Sequence, residues 1–329
     1  MLMKTTVTSS PSLAGTSGIT LDSLRVSYHG NVVLKPLSLT IEPGEVLALI
    51  GPSGSGKTTV LRAIAGFVQP AGGRILIGDT DVTQLPPYKR GLAMVVQNYA
   101  LFPHMKVEDN VAFGLRAQKQ PRGLIAERVT EALKIVGMAD YATRYPHQLS
   151  GGQQQRVGVA RALAGDPDVL LMDEPFGALD PVTRSALQQE MRRIHRLLGR
   201  TIVLVTHDID EALRLADNLI LLDGGEVVQQ GSPLHMLSAP GNEFVRTFFG
   251  RSELGVRLLS LRQVADYVRH GGRVTGEAIA DSLSLRDALS GFMAQRRTVL
   301  PVVNAKGVAY GALHFADLLR EEPADAHPS

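Results

Sequence analysis

Short apolar runs, separated by segments with helical spacing, organise most of the chain. Alternating apolar and polar residues predict half-buried strands at Ile19–Tyr28 and Leu37–Ile41, joined by a turn at Gly30–Asn31. Continuous apolar runs predict strands buried on both faces, as in a parallel sheet. These runs are Val46–Ile50, Val169–Met172 and Thr201–Val205.

Segments whose apolar residues recur at helical spacing alternate with these strands. It predicts helices at Thr59–Ala65, Glu127–Val136 and Val182–Leu198, and a mostly helical segment over about 98–165. Further short strands are predicted at Gly73–Ile77 and Leu92–Val96, with a hairpin formed by Leu219–Leu222 and Glu226–Gln229. This order predicts an α/β fold with a mostly parallel sheet covered on both faces, and a helical subdomain at 98–165.

Composition narrows the class of protein. A length of 329 residues favours roughly two domains. The net charge of +2 is nearly balanced, which predicts no nucleic-acid partner, and the absence of cysteine excludes disulfides. No apolar run is long enough to span a membrane. Residues 1–18 are rich in Ser and Thr and are predicted to be a flexible tail without a secretory signal.

A glycine-rich segment after the first buried strand carries the clearest chemistry. It fits G-x-x-x-x-G-K-[ST] between a predicted strand and a predicted helix, the context in which this pattern binds phosphate rather than forming a simple glycine-rich turn. The backbone N–H groups would surround the phosphates, the lysine would reach the β/γ-phosphates and the first threonine hydroxyl would bind Mg²⁺. The predicted nucleotide-binding residues are Gly51, Pro52, Ser53, Gly54, Ser55, Gly56, Lys57, Thr58 and Thr59.

Two carboxylates end the buried run Val169–Met172. Asp173 would face the nucleotide crevice and bind Mg²⁺ indirectly, and Glu174 would act as general base toward the attacking water. An acidic strand end before the turn at Pro175 is the alternative interpretation, but the phosphate loop earlier in the chain favours the catalytic one.

A second phosphate-binding pattern lies in the helical segment. Ser150 is predicted to cap the helix Gln154–Leu163, and Gly151, Gly152 and Gln153 complete a loop with free N–H groups. One nucleotide does not need two such loops, so this loop is predicted to close over ATP held by a second subunit.

Together these motifs resemble the ATPase subunits of ABC transporters over about residues 19–250. The resemblance implies that Tyr28 stacks on adenine, that Gln97 senses Mg²⁺ and the attacking water, and that His207 contacts the γ-phosphate. It also implies that Asp180 belongs to the loop linking two composite sites. The implied assembly is a head-to-tail homodimer that binds two ATP molecules with Mg²⁺.

Within this family an importer subunit is expected, since the chain has one cassette and no predicted membrane span. The implied partners are inner-membrane permease subunits and a periplasmic or tethered solute-binding protein, which places the chain peripherally at the cytoplasmic face. Alternatives are a soluble ABC ATPase acting on nucleic acid or ribosomes, and a regulatory binder without turnover.

Two importer subfamilies are resembled by different parts of the chain. Residues from about Tyr145 onward resemble osmoprotectant ATPases of the glycine betaine or choline type, notably in 173–183, 206–212 and 249–256. Earlier residues resemble 2-aminoethylphosphonate importer ATPases and their polyamine and iron relatives, notably in 86–93 and 97–104. The chain is therefore predicted to be a mosaic with an osmoprotectant as its best-supported solute.

Residues 251–329 are predicted to form a small α+β domain. Ser252–His270 is predicted to be helical, and the segment from Ser284 to Arg320 follows the order helix, strand, strand, helix. This order resembles one CBS repeat, a regulatory module that normally pairs with a second copy, so the two tails of a homodimer are expected to pair. A simple dimerisation or packing domain is the alternative.

Overall fold

The computed structural model describes residues 16–271 and 274–320. The chain divides into two compact units between residues 230 and 231, rather than after Gly250 as the sequence predicted. The reason is local: helix 233–238 packs against helix 254–261, so the segment 231–250 belongs with the second unit.

The described residues form the following strands and helices. The strands are β1 (Ile19–Tyr28), β2 (Asn31–Ile41), β3 (Val46–Ile50), β4 (Gly72–Ile77), β5 (Thr80–Asp81), β6 (Leu92–Val95), β7 (Val169–Asp173), β8 (Thr201–Val205), β9 (Asn218–Asp223), β10 (Glu226–Gly231), β11 (Arg269–His270), β12 (Ile279–Ala280), β13 (Val299–Val303) and β14 (Ala309–His314). The α-helices are α1 (Lys57–Ala65), α2 (Val107–Ala117), α3 (Arg122–Ile135), α4 (Gly151–Leu163), α5 (Pro181–Leu198), α6 (Ile209–Leu215), α7 (Pro233–Ser238), α8 (Glu243–Phe248), α9 (Leu254–Leu261) and α10 (Leu285–Gln295). Short 3₁₀ helices occupy Pro87–Lys89, Ala139–Tyr141, Pro146–Gln148, Val264–Tyr267 and Phe315–Leu319.

The first unit is built on a six-stranded sheet of order β10-β9-β3-β8-β7-β6. The pairs β3–β8, β3–β9, β7–β8 and β6–β7 are parallel, which confirms the mostly parallel sheet. Every residue of β3 and β8 is buried, as their continuous apolar sequences require. In the register of this sheet Val205 pairs with both Leu49 and Asp173. The strands β3, β7 and β8 therefore end at the same level, and the predicted site segments that follow them leave the sheet side by side at its carboxyl end.

A second, antiparallel sheet of order β2-β1-β4-β5 completes this unit. The sequence predicted strands in β1, β2 and β4 but did not predict that they pair separately from the parallel sheet. Strand β2 also begins at Asn31, inside the predicted turn. One apolar core joins the two sheets through α1, with Leu24, Leu49 and Ile64 fully buried in it.

Between β6 and β7 the chain is helical, as predicted for 98–165. Helix α4 packs against both α2 and α3 to form this subdomain. In the described parts of the chain, no helix has the length and apolar character needed to cross a membrane.

The last described residues of the predicted flexible tail are attached to the first unit. The Thr201 hydroxyl donates to the Ser17 carbonyl at 2.7 Å, and the Gly78 N–H donates to the Gly18 carbonyl at 2.9 Å. The prediction of a flexible tail therefore extends too far at residues 16–18, and residues 1–15 lie outside the described part.

The second unit contains a four-stranded sheet of order β11-β14-β13-β12, packed against α10. The predicted helix Ser252–His270 is wrong beyond Leu261, where the α-helix ends and a short 3₁₀ helix, Val264–Tyr267, leads into β11. The Val264 N–H donates to the Leu283 carbonyl at 2.9 Å, and Val264, Tyr267 and Val268 are buried in this unit's core. Tertiary packing has overridden the local helical pattern. The resemblance to a CBS repeat stays a prediction.

Candidate functional site

The phosphate loop connects β3 to α1 through left-handed glycines. Gly51, Gly54 and Gly56 have φ values of 145°, 80° and 105°, which L-residues rarely adopt. A Cβ on Gly51 would lie 2.1 Å from the Leu222 carbonyl oxygen, and one on Gly56 would lie 2.5 Å from Leu34 Cδ2. Glycine is therefore required at Gly51 by conformation and by space, and at Gly56 by conformation.

The N-terminus of α1 is suited to an anion. Gly56 caps it without a side-chain hydrogen bond, and its first turn has no acidic residue. By contrast α4, α5 and α6 are capped by the side chains of Ser150, Asp180 and Asp208. The uncapped N–H groups and the helix dipole fit a phosphate group.

Lys57 lies within this loop and is only 8% exposed. Its Nζ donates to the Gly51 carbonyl at 2.8 Å and to the Pro52 carbonyl at 2.7 Å, and lies 3.5 Å from Ser55 Oγ. Burial lowers the pKa of Lys57, and the charge of Glu174 acts in the opposite direction. The loop thus holds a cation against its own carbonyl oxygens. Of the remaining loop residues Ser53 is exposed, and Thr59 is half-buried in the first turn of α1.

Thr58 and Asp173, two of the residues predicted to bind magnesium, lie close together. Thr58 Oγ1 lies 3.5 Å from Asp173 Oδ1, although 115 residues separate them. Burial raises the pKa of Asp173 and the Arg62 charge opposes that shift. A hydroxyl and a carboxylate are ligands that Mg²⁺ accepts, so the donor set fits the ion.

Glu174 and His207 meet at the end of the parallel sheet. Glu174 Oε2 lies 3.3 Å from His207 Nδ1, and the Glu174 N–H donates to the Val205 carbonyl at 2.9 Å. Glu174 has φ of 45°, a conformation that costs energy for any residue except glycine. Strain of this kind often accompanies a functional site.

Gln97 approaches the same turn. A Cβ on Gly177 would lie 3.3 Å from Gln97 Nε2 and 3.8 Å from Glu174 Oε2. The amide of Gln97 and the carboxylate of Glu174 therefore face the same small space beside Gly177.

The second predicted loop is positioned by α4. Ser150 Oγ accepts from the Gln153 N–H at 3.3 Å, and the Ser150 N–H donates to Gln153 Oε1 at 2.9 Å, which confirms the predicted cap. Gly151 and Gly152 lie beside the start of α5, because their Cβ atoms would be 3.5 Å from Leu179 and 2.6 Å from Thr183.

Asp180 caps α5 by accepting from the Val182 and Thr183 N–H groups at 3.1 and 3.0 Å. Hydrogen bonding from Thr183 lowers the pKa of Asp180. Tyr28 is exposed at the end of β1, opposite Asn31. The predicted residues other than Tyr28 therefore form one group around Lys57 and Glu174 and a second around Ser150 and Asp180.

The sequence did not predict Arg161, which holds the segment after Gln97. Its guanidinium donates to the Tyr99 carbonyl at 2.7 Å and to the Ala100 carbonyl at 2.6 Å. Tyr99 and Ala100 are both left-handed, with φ values of 58° and 44°. Arg161 lies in α4, so it joins the segment of Gln97 to the helix that begins after Ser150.

Comparison with known proteins places this site in a family. A family model described as ABC transporter matches residues 34–177. The putative 2-aminoethylphosphonate import ATP-binding protein PhnT of Salmonella typhi is 70% identical over 255 residues, which cover 77% of this chain and 69% of that protein. The glycine betaine uptake system ATP-binding protein YehX of Escherichia coli strain K12 is 60% identical over 297 residues, which cover 89% of this chain and 96% of that protein.

Two solved structures are also similar to this chain. CbiO1 from Clostridium perfringens, part of the ABC transporter complex CbiONQ, aligns with a TM-score of 0.64 at 31% identity over 74% of this chain and 94% of its own. The ATP-binding cassette MJ0796, as a dimer in a post-hydrolysis state with ADP and phosphate, aligns with a TM-score of 0.57 at 32% identity over 65% of this chain and 98% of its own.

A phosphate loop at the edge of a parallel sheet, with a carboxylate pair beside it, defines a P-loop ATPase. The chain belongs to the ABC transporter family, as the ATP-binding subunit of an importer. Both kinds of relative predicted from the sequence are present, which confirms that resemblance.

Proposed function

We propose that this chain is the ATP-hydrolysing subunit of an importer for a quaternary amine osmoprotectant of the glycine betaine type. The supporting observation is the extent of the match to YehX, which covers 96% of that protein. Because the first unit ends at residue 230, an alignment of 297 residues must extend into the second unit. The likeness therefore includes the part of the chain outside the ATP site.

A 2-aminoethylphosphonate importer is the second candidate. PhnT has the higher identity of the two relatives, 70%, but the match covers only 69% of its length. The ATP site itself does not discriminate, since the solute does not contact it. The choice between these solutes depends on the permease with which the chain assembles.

The proposed roles at the ATP site follow its chemistry. Lys57 and the uncapped N–H groups of α1 bind the β/γ-phosphates. Thr58, Asp173 and Gln97 would hold Mg²⁺ directly or through water, and the ion would neutralise charge on the phosphoryl group. Glu174 accepts the proton of the attacking water, and His207 orients Glu174 and contacts the γ-phosphate. Tyr28 stacks on adenine.

The proposed assembly is a head-to-tail homodimer. The second group of predicted residues, Ser150–Gln153 with Asp180, completes the ATP site of the other subunit. The dimeric state of the similar cassette MJ0796 supports this arrangement. The dimer is proposed to bind permease subunits at the cytoplasmic face of the membrane, together with a solute-binding protein.

Uptake measurements test the proposed solute. Cells lacking their own osmoprotectant and phosphonate ATPases would express this chain with either a glycine betaine permease or a 2-aminoethylphosphonate permease. Labelled glycine betaine should accumulate with the first pair and not with the Glu174→Gln variant, which controls for dependence on hydrolysis. Accumulation of 2-aminoethylphosphonate alone would establish the second candidate instead.

A further inference from the structure

The loop that carries His207 belongs to a partly buried polar cluster formed by Thr206, Asp208, Glu211 and Arg184, which has no role in the proposed reaction. The Asp208 N–H donates to Thr206 Oγ1 at 3.0 Å, and the Glu211 N–H donates to Asp208 Oδ1 at 3.0 Å. Glu211 is only 4% exposed. The two residues that flank His207, Thr206 and Asp208, therefore both take part in the hydrogen bonds of this cluster.

Arg184 connects this cluster to the start of α5. Its Nη1 lies 3.2 Å from Asp208 Oδ2, and its Nη2 donates to the Leu179 carbonyl at 3.1 Å. Leu179 precedes Asp180, the residue that caps α5. A single guanidinium thus joins the loop of His207 to the segment of Asp180.

Two atoms of the cluster have no hydrogen-bond partner. They are Glu211 Oε1 and Arg184 Nε, and both are buried. A buried carboxylate oxygen without a partner is costly, whereas a neutral carboxyl costs less. Burial raises the pKa of Glu211 to about 8; the charges of Asp208 and Glu174 act in the same direction, and Thr206 and Arg184 oppose the shift.

We propose that Glu211 is a positioning residue for ATP hydrolysis, whose neutral carboxyl keeps the Thr206–Asp208 loop and its His207 beside Glu174. The physical reason is competition for Arg184. An ionised Glu211 would attract the guanidinium away from Asp208 and Leu179, which would release the loop of His207 and the segment of Asp180 together. The inference rests on the ATPase activity of the family and is independent of the solute.

The test compares Glu211→Gln, Glu211→Ala and the wild type by kcat and KM for ATP over about pH 6 to 10. Glutamine keeps the shape and hydrogen bonding of the neutral acid but cannot ionise. Near pH 7 its kcat should stay within about twofold of the wild type, whereas alanine should lower kcat on the order of tenfold with little change in KM. The wild-type kcat should fall above about pH 8, and that fall should be absent in Glu211→Gln.

Glu127→Gln, an exposed substitution on α3, is the matched control and should keep both the rate and the pH profile of the wild type. A ¹³C NMR titration of labelled glutamate carboxyls, with the Glu211 signal assigned by its loss in Glu211→Gln, is the second measurement. It should show Glu211 titrating near pH 8. Titration below about pH 6, or equal loss of kcat in Glu211→Gln and Glu211→Ala, would overturn the proposal.

Discussion

Glu174 is the residue at which local conformation and chemistry meet most directly. It is left-handed, its N–H is fixed to the Val205 carbonyl, and its carboxylate lies beside His207. Glutamine has the same size and no branch at Cβ, so it should accept the same backbone conformation. A Glu174→Gln exchange therefore isolates the ability to accept a proton.

We expect Glu174→Gln to bind ATP about as tightly as the wild type and to lose turnover by roughly 10²-fold or more, since an amide cannot take a proton from water. Phosphate release and nucleotide binding, measured on the same preparation, check this. Lys57→Ala is the contrasting variant and should weaken nucleotide binding itself. Turnover at the wild-type rate in Glu174→Gln would show that another group is the base.

The raised pKa of Glu211 also predicts how the free energy of unfolding depends on pH. Its pKa in the folded chain, about 8, lies above the value of 4.5 for a free glutamate. The folded state therefore binds the proton more tightly, and this contribution to stability is complete below about 4.5 and is lost as pH rises to about 8. Urea unfolding of the wild type and Glu211→Gln should diverge through this window, with the wild type losing stability relative to the variant. If the free energies of unfolding of the two proteins changed in parallel with pH, this prediction would be contradicted.

At the scale of single elements, Arg90 fixes the end of α1. Its guanidinium donates to the carbonyls of Ala63 and Ile64 at 2.8 and 2.9 Å, and to those of Thr83 and Leu85 at 3.0 and 2.8 Å. Arg90 is only 2% exposed, and the chain ends α1 at the left-handed Gly66 directly against it. The helix that begins at the phosphate loop is therefore anchored at its other end by one side chain.

We expect Arg90→Ala to lower the free energy of unfolding by about 3 kcal/mol, because four carbonyls, three of them buried, lose a charged donor. Arg90→Lys should recover only part of this, since one ammonium cannot replace the planar fork. Arg116→Ala, which removes an exposed ion pair with Asp109, is the control and should cost about 0.5 kcal/mol. Equal losses in the two alanine variants, measured by urea unfolding, would refute the anchoring role.

The sequence predicted the positions of strands and helices better than it predicted which strands pair with one another. Buried strands such as β3 and β8 are evident from continuous apolar runs, and motif residues such as Lys57 and Ser150 from local spacing. The separation of β1, β2 and β4 into an antiparallel sheet depends on non-local pairing, which no local pattern encodes. Arg161 and Glu211 were missed for the same reason, because their partners are distant in sequence or are revealed only by burial.

At the scale of the whole molecule, the position of the division between the units can be tested by truncation. A chain ending at Gln230 should fold cooperatively and keep ATPase activity within about threefold of the full chain, because its core is complete. A chain ending at Gly250 keeps Met236 and Leu237 of α7 but lacks α9, against which α7 packs.

The longer truncated chain should therefore bind more of a hydrophobic dye and aggregate sooner than the shorter one. Thermal unfolding and dye fluorescence of the two proteins, side by side, measure this. If the chain ending at Gln230 fails to fold while the one ending at Gly250 behaves well, the division lies where the sequence first suggested.

The hairpin turn at Gly224–Gly225 would attract a protein engineer looking for a place to insert a tag or a sensor domain. Exposed glycine turns usually tolerate such insertions. Here the Gly225 carbonyl accepts from the Lys35 N–H at 3.0 Å, and the Gly225 N–H donates to the Ser55 carbonyl of the phosphate loop at 3.3 Å. A domain inserted into this turn would be connected to the nucleotide-binding loop through that hydrogen bond. The turn is therefore a poor position for an inert tag, but a good one for a reporter of ATP binding.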